Sequence, residues 1–310
     1  MTTPSNAATA SVRAVPETAT DATRGTRPLY WSLRRELWEN RWLYAAPIAF
    51  AALVLLGFLI GAITQPHRVP AMLAFQPARS SNILAEYDLA ASMGVMVAAL
   101  LVGVFYCIEA LQGERRDRSI LFWKSLPVSD ATTILSKAII PMVVLPALTC
   151  ALIAATQLLM LLVGSAVLLL TGADAGPVWA AFPFQLWPLL LYFFVGLTLW
   201  HAPLYGWLLL VSAWARRAAF LWATLPLLAI SVVERLAFNT SHVAGFLMYR
   251  WMGFFGEAFA VTAPAHQSVE RLPRLTPGHF LTTPGLWLGL AFTAACLFAA
   301  VRLRRHRDPI

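Results

Sequence analysis

Along this chain the apolar positions come in long runs and the polar ones in clusters between them. Residues 28–43 are the exception, because there the two kinds alternate on a helical period. Tyr30, Leu33 and Leu37 recur at three- and four-residue spacing, with Trp31, Trp38 and Trp42 beside them. Arg34, Arg35, Glu36, Glu39 and Arg41 fill the other side. A helix with Trp and Leu on one face and charge on the other lies in a membrane interface, so 28–43 is expected to be an amphipathic interfacial helix.

The runs that follow, 44–63, 89–108, 138–170, 186–211, 218–233 and 286–301, are each predicted to be one membrane span. A hydrocarbon core of about 30 Å needs about 20 apolar residues at about 1.5 Å per residue. The run 138–170 is longer than that and has no Asp, Glu, Lys or Arg. It has no Gly/Asn/Pro turn cluster in its middle, so one long helix is favoured over a hairpin of two, with Pro141 and Pro146 near its start. Residues 245–261 tempt a seventh crossing but hold Arg250 and Glu257 well inside. Each would cost about 2.5–3.5 kcal/mol near the centre of a helix. They are read as a helix lying on, or dipping into, the outer leaflet, with Arg250 and Glu257 sharing a face.

Composition agrees with this pattern. Hydrophobic residues make up 59% of the chain and charged ones 12%, with a mean hydropathy of +0.67. A soluble domain carries about twice that charge, so the expected fold is all-α: a polytopic membrane protein of six transmembrane helices, its membrane domain filling 44–310. Residues 1–27, rich in Ala, Thr, Ser and Pro, read as a disordered cytoplasmic tail. They lack the apolar core of a cleavable signal, so the first span is expected to serve as an uncleaved anchor. The three cysteines, Cys107, Cys150 and Cys296, fall in or at the ends of apolar runs and read as small buried hydrophobes.

The net charge of +8 could suggest nucleic acid, but no basic groove with interleaved aromatics lies outside the apolar runs. The positive residues collect instead on one side of the predicted layout. Seventeen of the 23 lie there: Arg13, Arg24, Arg27, Arg34, Arg35 and Arg41; Arg115, Arg116, Arg118, Lys124 and Lys137; Arg216 and Arg217; and Arg302, Arg304, Arg305 and Arg307; the opposite side keeps Arg68, Arg79, Arg235, Arg250, Arg271 and Arg274. Lysine and arginine mark cytoplasmic loops. Alternation therefore holds over six crossings, with both termini cytoplasmic.

Chemistry is sparse. There is no GxxxxGK[ST] phosphate loop, so ATP is not hydrolysed by that route. There is no HExxH, the six histidines are scattered, and no Ser/His/Asp spacing converges; neither catalysis nor a cofactor is expected. The informative segment is 109–137, EALQGERRDRSILFWKSLPVSDATTILSK. Its charged opening is followed by the apolar stretch 120–123, then a Leu-Pro-Val-Ser turn. Four apolar side chains on a water-facing loop either pack under the bundle or dock to a partner.

This stretch resembles the loop between the second and third spans of ABC-2 type transporter permeases, the membrane subunits of ABC exporters. The residues that carry the likeness are Glu109, Glu114, Arg115, Asp117, Ser119, Ile120, Phe122, Ser125, Leu126, Pro127, Val128, Ser129 and Lys137. The layout from residue 28 onward is similar too, but only this loop is specific. The resemblance implies a permease without an ATPase of its own. It would pair with a second copy or a sibling permease, in a bacterial inner membrane, and couple to two separate ATP-binding subunits. A short loop helix, roughly 117–125, would seat in a cleft of the ATPase. Arg115, Arg116, Asp117, Ile120, Phe122, Trp123 and Leu126 are then the expected coupling residues. The outer segment 237–283 is longer than a minimal member of that family needs.

At membrane depth, His201 beside Pro203 and Gln157 in the third span are candidates for a substrate path or for helix packing. Glu109 and Glu234 lie at span ends and read as caps or ion-pair partners. Two other functions fit the same pattern. One is a proton-driven secondary transporter with His201, Glu109 or Glu234 as carriers, although no internal repeat of the kind common in such folds is evident. The other is a non-transporting membrane scaffold subunit.

Overall fold

The computed structural model describes residues 28–69, 83–117, 128–181, 187–260, 274–275 and 277–306. The segment 1–27 and the apolar stretch carrying Ile120, Phe122, Trp123 and Leu126 lie outside the described residues. In hydrocarbon a backbone N–H or C=O has no water to bond, so apolar runs close their hydrogen bonds along themselves as helices. The described helices are α1 (Pro28–Glu39), α2 (Trp42–Thr64), α3 (Ile83–Glu109), α4 (Gln112–Arg116), α5 (Asp130–Ile139) and α6 (Leu145–Leu170). They continue as α7 (Gly176–Ala181), α8 (Trp187–Trp214), α9 (Ala219–Phe238), α10 (His242–Ala258), α11 (Pro277–Thr282) and α12 (Pro284–His306). Among the described residues six stretches are long and apolar enough to cross a membrane: α2, α3 through α4, α5 through α6, α8, α9 and α12. The chain is thus an all-α polytopic membrane protein. Among the described residues the extended structure is one two-residue pair, β1 (Phe259–Ala260) antiparallel to β2 (Arg274–Leu275).

Residues 130–170 form one continuous rod, with no hairpin at its middle. α5 passes into α6 through a single π turn at Ile140–Val144. Pro141 accounts for the widened turn: it has no N–H to give, and its ring would crowd the carbonyl of Lys137 four residues back. At the fifth span the sequence and the structure differ. α9 continues past Val233 to Phe238, so Glu234 stands inside a helix, just before its last turn, instead of opening a loop. Its carboxylate accepts hydrogen bonds from the backbone N–H groups of His242 (2.6 Å) and Val243 (2.8 Å). It thereby satisfies donors that the start of α10 would otherwise leave unpaired.

α8 is the axis of the bundle and touches α3, α6, α9, α10 and α12. Of its most apolar stretch 61% is buried within the protein, against 11% for α9. Its closest companion is α12, which runs parallel to it. Gly289 lies against Pro203, Thr293 against Gly206, and Ala300 joins Ala213 in one buried cluster. A side chain at Gly206 would meet Thr293 at 3.1 Å, so the glycine is what lets the two backbones approach.

α10, read from the sequence as a helix lying on or dipping into the outer leaflet, packs along α8. Arg250, Phe254 and Ala258 meet Trp200, Gly196 and Tyr192 in that order, so its second half runs antiparallel to α8. Trp200, Phe254, Phe280 and Leu286 form the buried cluster that joins α8, α10, α11 and α12. The other end of the bundle gathers α1, α4, α5 and the last turns of α8 and α12. The segments nearest both termini therefore share one end, called here the terminal end.

Candidate functional site

The chain leaves α3 at the terminal end through a tight elbow, 108–117, and the elbow is clamped to α8. Ser212 Oγ donates to the Ile108 carbonyl at 2.7 Å and accepts from the backbone N–H groups of Leu111 and Gln112, both at 3.1 Å. Arg115 reaches back to donate to the carbonyls of Ser212 and Ala215. Those carbonyls lie where α8 ends and have no helical partner, so a guanidinium is a fitting donor. Gln112 Oε1 accepts from the Ala219 N–H at 3.3 Å, at the start of α9.

Beside the elbow lies a buried ion network drawn from four separate parts of the chain. Lys137 Nζ, with its side chain 3% exposed, sits 2.8 Å from Glu36 Oε1 and 3.0 Å from Glu114 Oε1. Glu114 Oε2 meets Arg304 Nη1 at 2.7 Å, and Arg304 Nε meets Asp130 Oδ1 at 3.0 Å. Arg35 lies 2.8 Å from Glu36. The second oxygen of Glu36 accepts from the Tyr106 hydroxyl at 2.9 Å. Buried ions cost several kcal/mol each unless closely paired. Here three carboxylates face three cations at 2.7–3.0 Å. Burial pushes the Glu36 carboxyl up, but Lys137 and then Arg35 outweigh it and hold the group below its ordinary value of 4.5. Glu39, at the edge, is shifted the other way: burial raises it and the Glu36 charge adds to the rise, against the pull of Arg35.

The network is a fastening: it joins α1, the elbow, α5 and α12 at one point. A cavity of about 360 Å³ lies between α1 and the elbow, and Glu39, Glu109, Glu114, Arg116 and Lys137 line part of it. No group of three or more His, Cys, Asp and Glu is placed to hold a metal among the described residues.

The candidate coupling residues divide. Arg115 points inward and fastens the elbow, while Arg116 and Asp117 stand out at the rim, 67% and 65% exposed. Arg116 bridges Glu109 at 3.0 Å and Asp117 at 3.3 Å. The four apolar coupling residues are outside the described chain, but both of their attachments, the elbow and the start of α5, are held by the network. Ser129 caps α5 by accepting the Thr132 N–H at 3.1 Å.

The two membrane-depth candidates are not brought together. His201 is buried, donates from Nδ1 to the Leu197 carbonyl at 2.9 Å, and packs edge-on to Trp251. It lines a cavity of about 30 Å³ with Met96, Thr149, Thr198 and Tyr205, room for about one water molecule. Gln157 is half-buried on α6 and is not among the residues lining that cavity. Arg250 and Glu257 both face the α11–α12 side. Arg250 stacks on Trp200 and donates to the Gly285 carbonyl, and Glu257 accepts from Tyr249 and Thr283.

Sequence reasoning set Glu36 among the solvent-side charges of α1. It is 1% exposed and shares the inner face with Leu33 and Leu37. Tyr30, Trp31 and Trp38 face outward, with Arg34 between the two indoles. The cause is Lys137, which gives a buried carboxylate its counter-ion. Asp130, Arg304, Tyr106 and Ser212 also escaped notice, for each reads alone as an ordinary terminal or span residue. Comparison with protein-family models and with curated proteins finds no match to this chain. The fold and the network define its class: a polytopic helical membrane protein whose polar loop is rooted in a buried ionic clamp.

Proposed function

We propose that the chain is the membrane subunit of an ATP-driven exporter of the ABC-2 permease kind, moved by a separate ATP-hydrolysing subunit that grips the loop 118–127. On this reading the terminal end is cytoplasmic and the membrane is a bacterial inner membrane. A second copy or a sibling permease completes the transport unit. The observation that carries it is the clamp at the loop's root. A motor docked on a loop moves helices only if the loop is stiffly joined to them, and here both ends of the loop are tied to α1, α5, α8 and α12. A passive connector between two spans needs no such fastening. The apolar sequence of 120–123 supplies a surface for the motor, with Arg116 and Asp117 at its rim.

The proton-driven alternative draws little support from the same residues. Both oxygens of Glu234 are engaged in capping α10, Glu109 pairs with Arg116 at the exposed rim, and His201 borders a cavity of water size. The test is purification of the tagged full-length chain from its native membranes. An ATP-hydrolysing partner should copurify with the wild type. It should be lost from the Phe122→Ala/Trp123→Ala double variant, with membrane insertion unchanged. A variant that keeps the partner, or a wild type that brings none down, overturns the proposal.

A further inference from the structure

α12 has a fastening at each end. At the terminal end Arg304 is buried between Glu114 of the elbow and Asp130 of α5. At the far end Leu286 belongs to the Trp200–Phe254–Phe280 cluster, the Gly285 carbonyl accepts from Arg250, and Gly289 makes room for the Arg250 guanidinium. Between these points the helix is unbroken and free of proline, and Gly206 seats it directly on α8. Nineteen residues of helix separate Gly285 from Arg304, a span of about 28 Å. α8 carries the same two fastenings: Arg115 and Ser212 bind its end to the elbow, and Trp200 binds α10.

We infer that α8 and α12 act as one rod joining the loop root to the cap formed by α10 and α11, and that Arg304 is the positioning residue that ties α12 to that root. Displacement of the elbow then reaches the far face through α12 and loosens or tightens the cap over α8. Arg304 touches no transported molecule on this account; it acts through Glu114 and Asp130. α9 also links the elbow to the cap, from Ala219 beside Gln112 to Glu234 under the start of α10, but 11% of its most apolar stretch is buried against 61% for α8, so the α8–α12 pair is the stiffer route. The inference deepens the transport reading, since it says where force entering at the loop is delivered.

The test needs no ATPase, so its outcome is separate from that of the copurification experiment. In the full chain reconstituted in lipid nanodiscs, Ala258→Cys places a thiol inside the cap cluster, where Ala258 is fully buried. Ala62→Cys, equally buried at the far end of α2, reports on a cluster that α12 does not join. Labelling by a membrane-impermeant maleimide is followed at each site. Arg304→Gln should speed labelling at 258 by about fivefold or more, the lower end of typical coupling between sites. Labelling at 62 should not change, and Arg304→Lys should recover most of the slow rate. Glu114→Gln should act at 258 in the same direction, and the Arg304→Gln/Glu114→Gln double variant should add little to either single change. An unchanged rate at 258 overturns the inference. So does an equal rise at both reporters, which marks general loosening, or a full sum of the two single effects.

Discussion

Glu36 and Lys137 are 101 residues apart in sequence and touch at 2.8 Å with almost no exposure. Removing one partner of such a pair strands a charge, at a cost of about 3–5 kcal/mol, whereas removing both charges costs much less than the sum. We therefore expect Lys137→Met to lower thermal stability in detergent sharply and the Glu36→Gln/Lys137→Met pair to recover part of the loss. A strictly additive pair of changes would mean that the two groups do not share a bond. The pH dependence follows from the direction of the Glu36 shift. Its folded value lies below the unfolded 4.5, so the stability it confers is complete above that value and fades as pH falls through the folded one. Unfolding temperature should drop below about pH 4.5, and Glu36→Gln should flatten that drop. None of this was visible in the residues one at a time. A glutamate among arginines on an amphipathic helix looks solvent-facing until the lysine that neutralises it is placed beside it by the fold.

Helices were read far more readily than the contacts among them. A charge-free run of span length admits little besides a helix in hydrocarbon, so the six spans and the unbroken rod from α5 to α6 stand close to where the pattern put them. The ends were harder. α9 overran its predicted stop because Glu234 caps the next helix, a use of a carboxylate that no periodicity encodes. The seating of α10 against α8 depends on Trp200, Phe254 and Phe280 meeting across three helices. Pairing of α8 with α12 belongs to the same level, and it rests on small residues. At Gly206 a Cβ would sit 3.2 Å from the Thr293 backbone, while at Gly57 on α2 it would meet nothing within 4 Å. Gly206→Leu should therefore destabilise the protein by at least about 1–3 kcal/mol, the usual cost of overpacking. Gly57→Leu should stay within about 0.5 kcal/mol of the wild type. Chemical unfolding in mixed micelles reads both, and equal effects would mean that α8 and α12 are not in close contact.

At the scale of the molecule, the polarity of the bundle decides what the clamp can be for. The contacts put α1, the 109–137 root and the end of α12 together at one end, and Thr171 to Gly176 follow α6 at the other. Arginines and lysines concentrate at the terminal end, both in the network and around it. Those pinned in ion pairs, such as Lys137 and Arg304, cannot be credited to topology alone. Arg216, Arg217, Arg302 and Arg305 take part in none of the ion pairs found among the described residues and remain as an unneutralised excess. An excess of that kind retains loops on the cytoplasmic side during insertion. A green fluorescent protein fused after Ile310 should accordingly fluoresce. Alkaline phosphatase inserted at Ala173 should be active, and the same enzyme inserted in the 118–127 loop should be inactive. Activity at 118–127 would put the clamp on the face where no ATP is available, and the motor reading would fall while the fold stood. The reverse pattern would put on the cytosolic face both the buried network, which joins α1, α5 and α12, and the elbow bonded to α8, so a force applied there would meet all four helices.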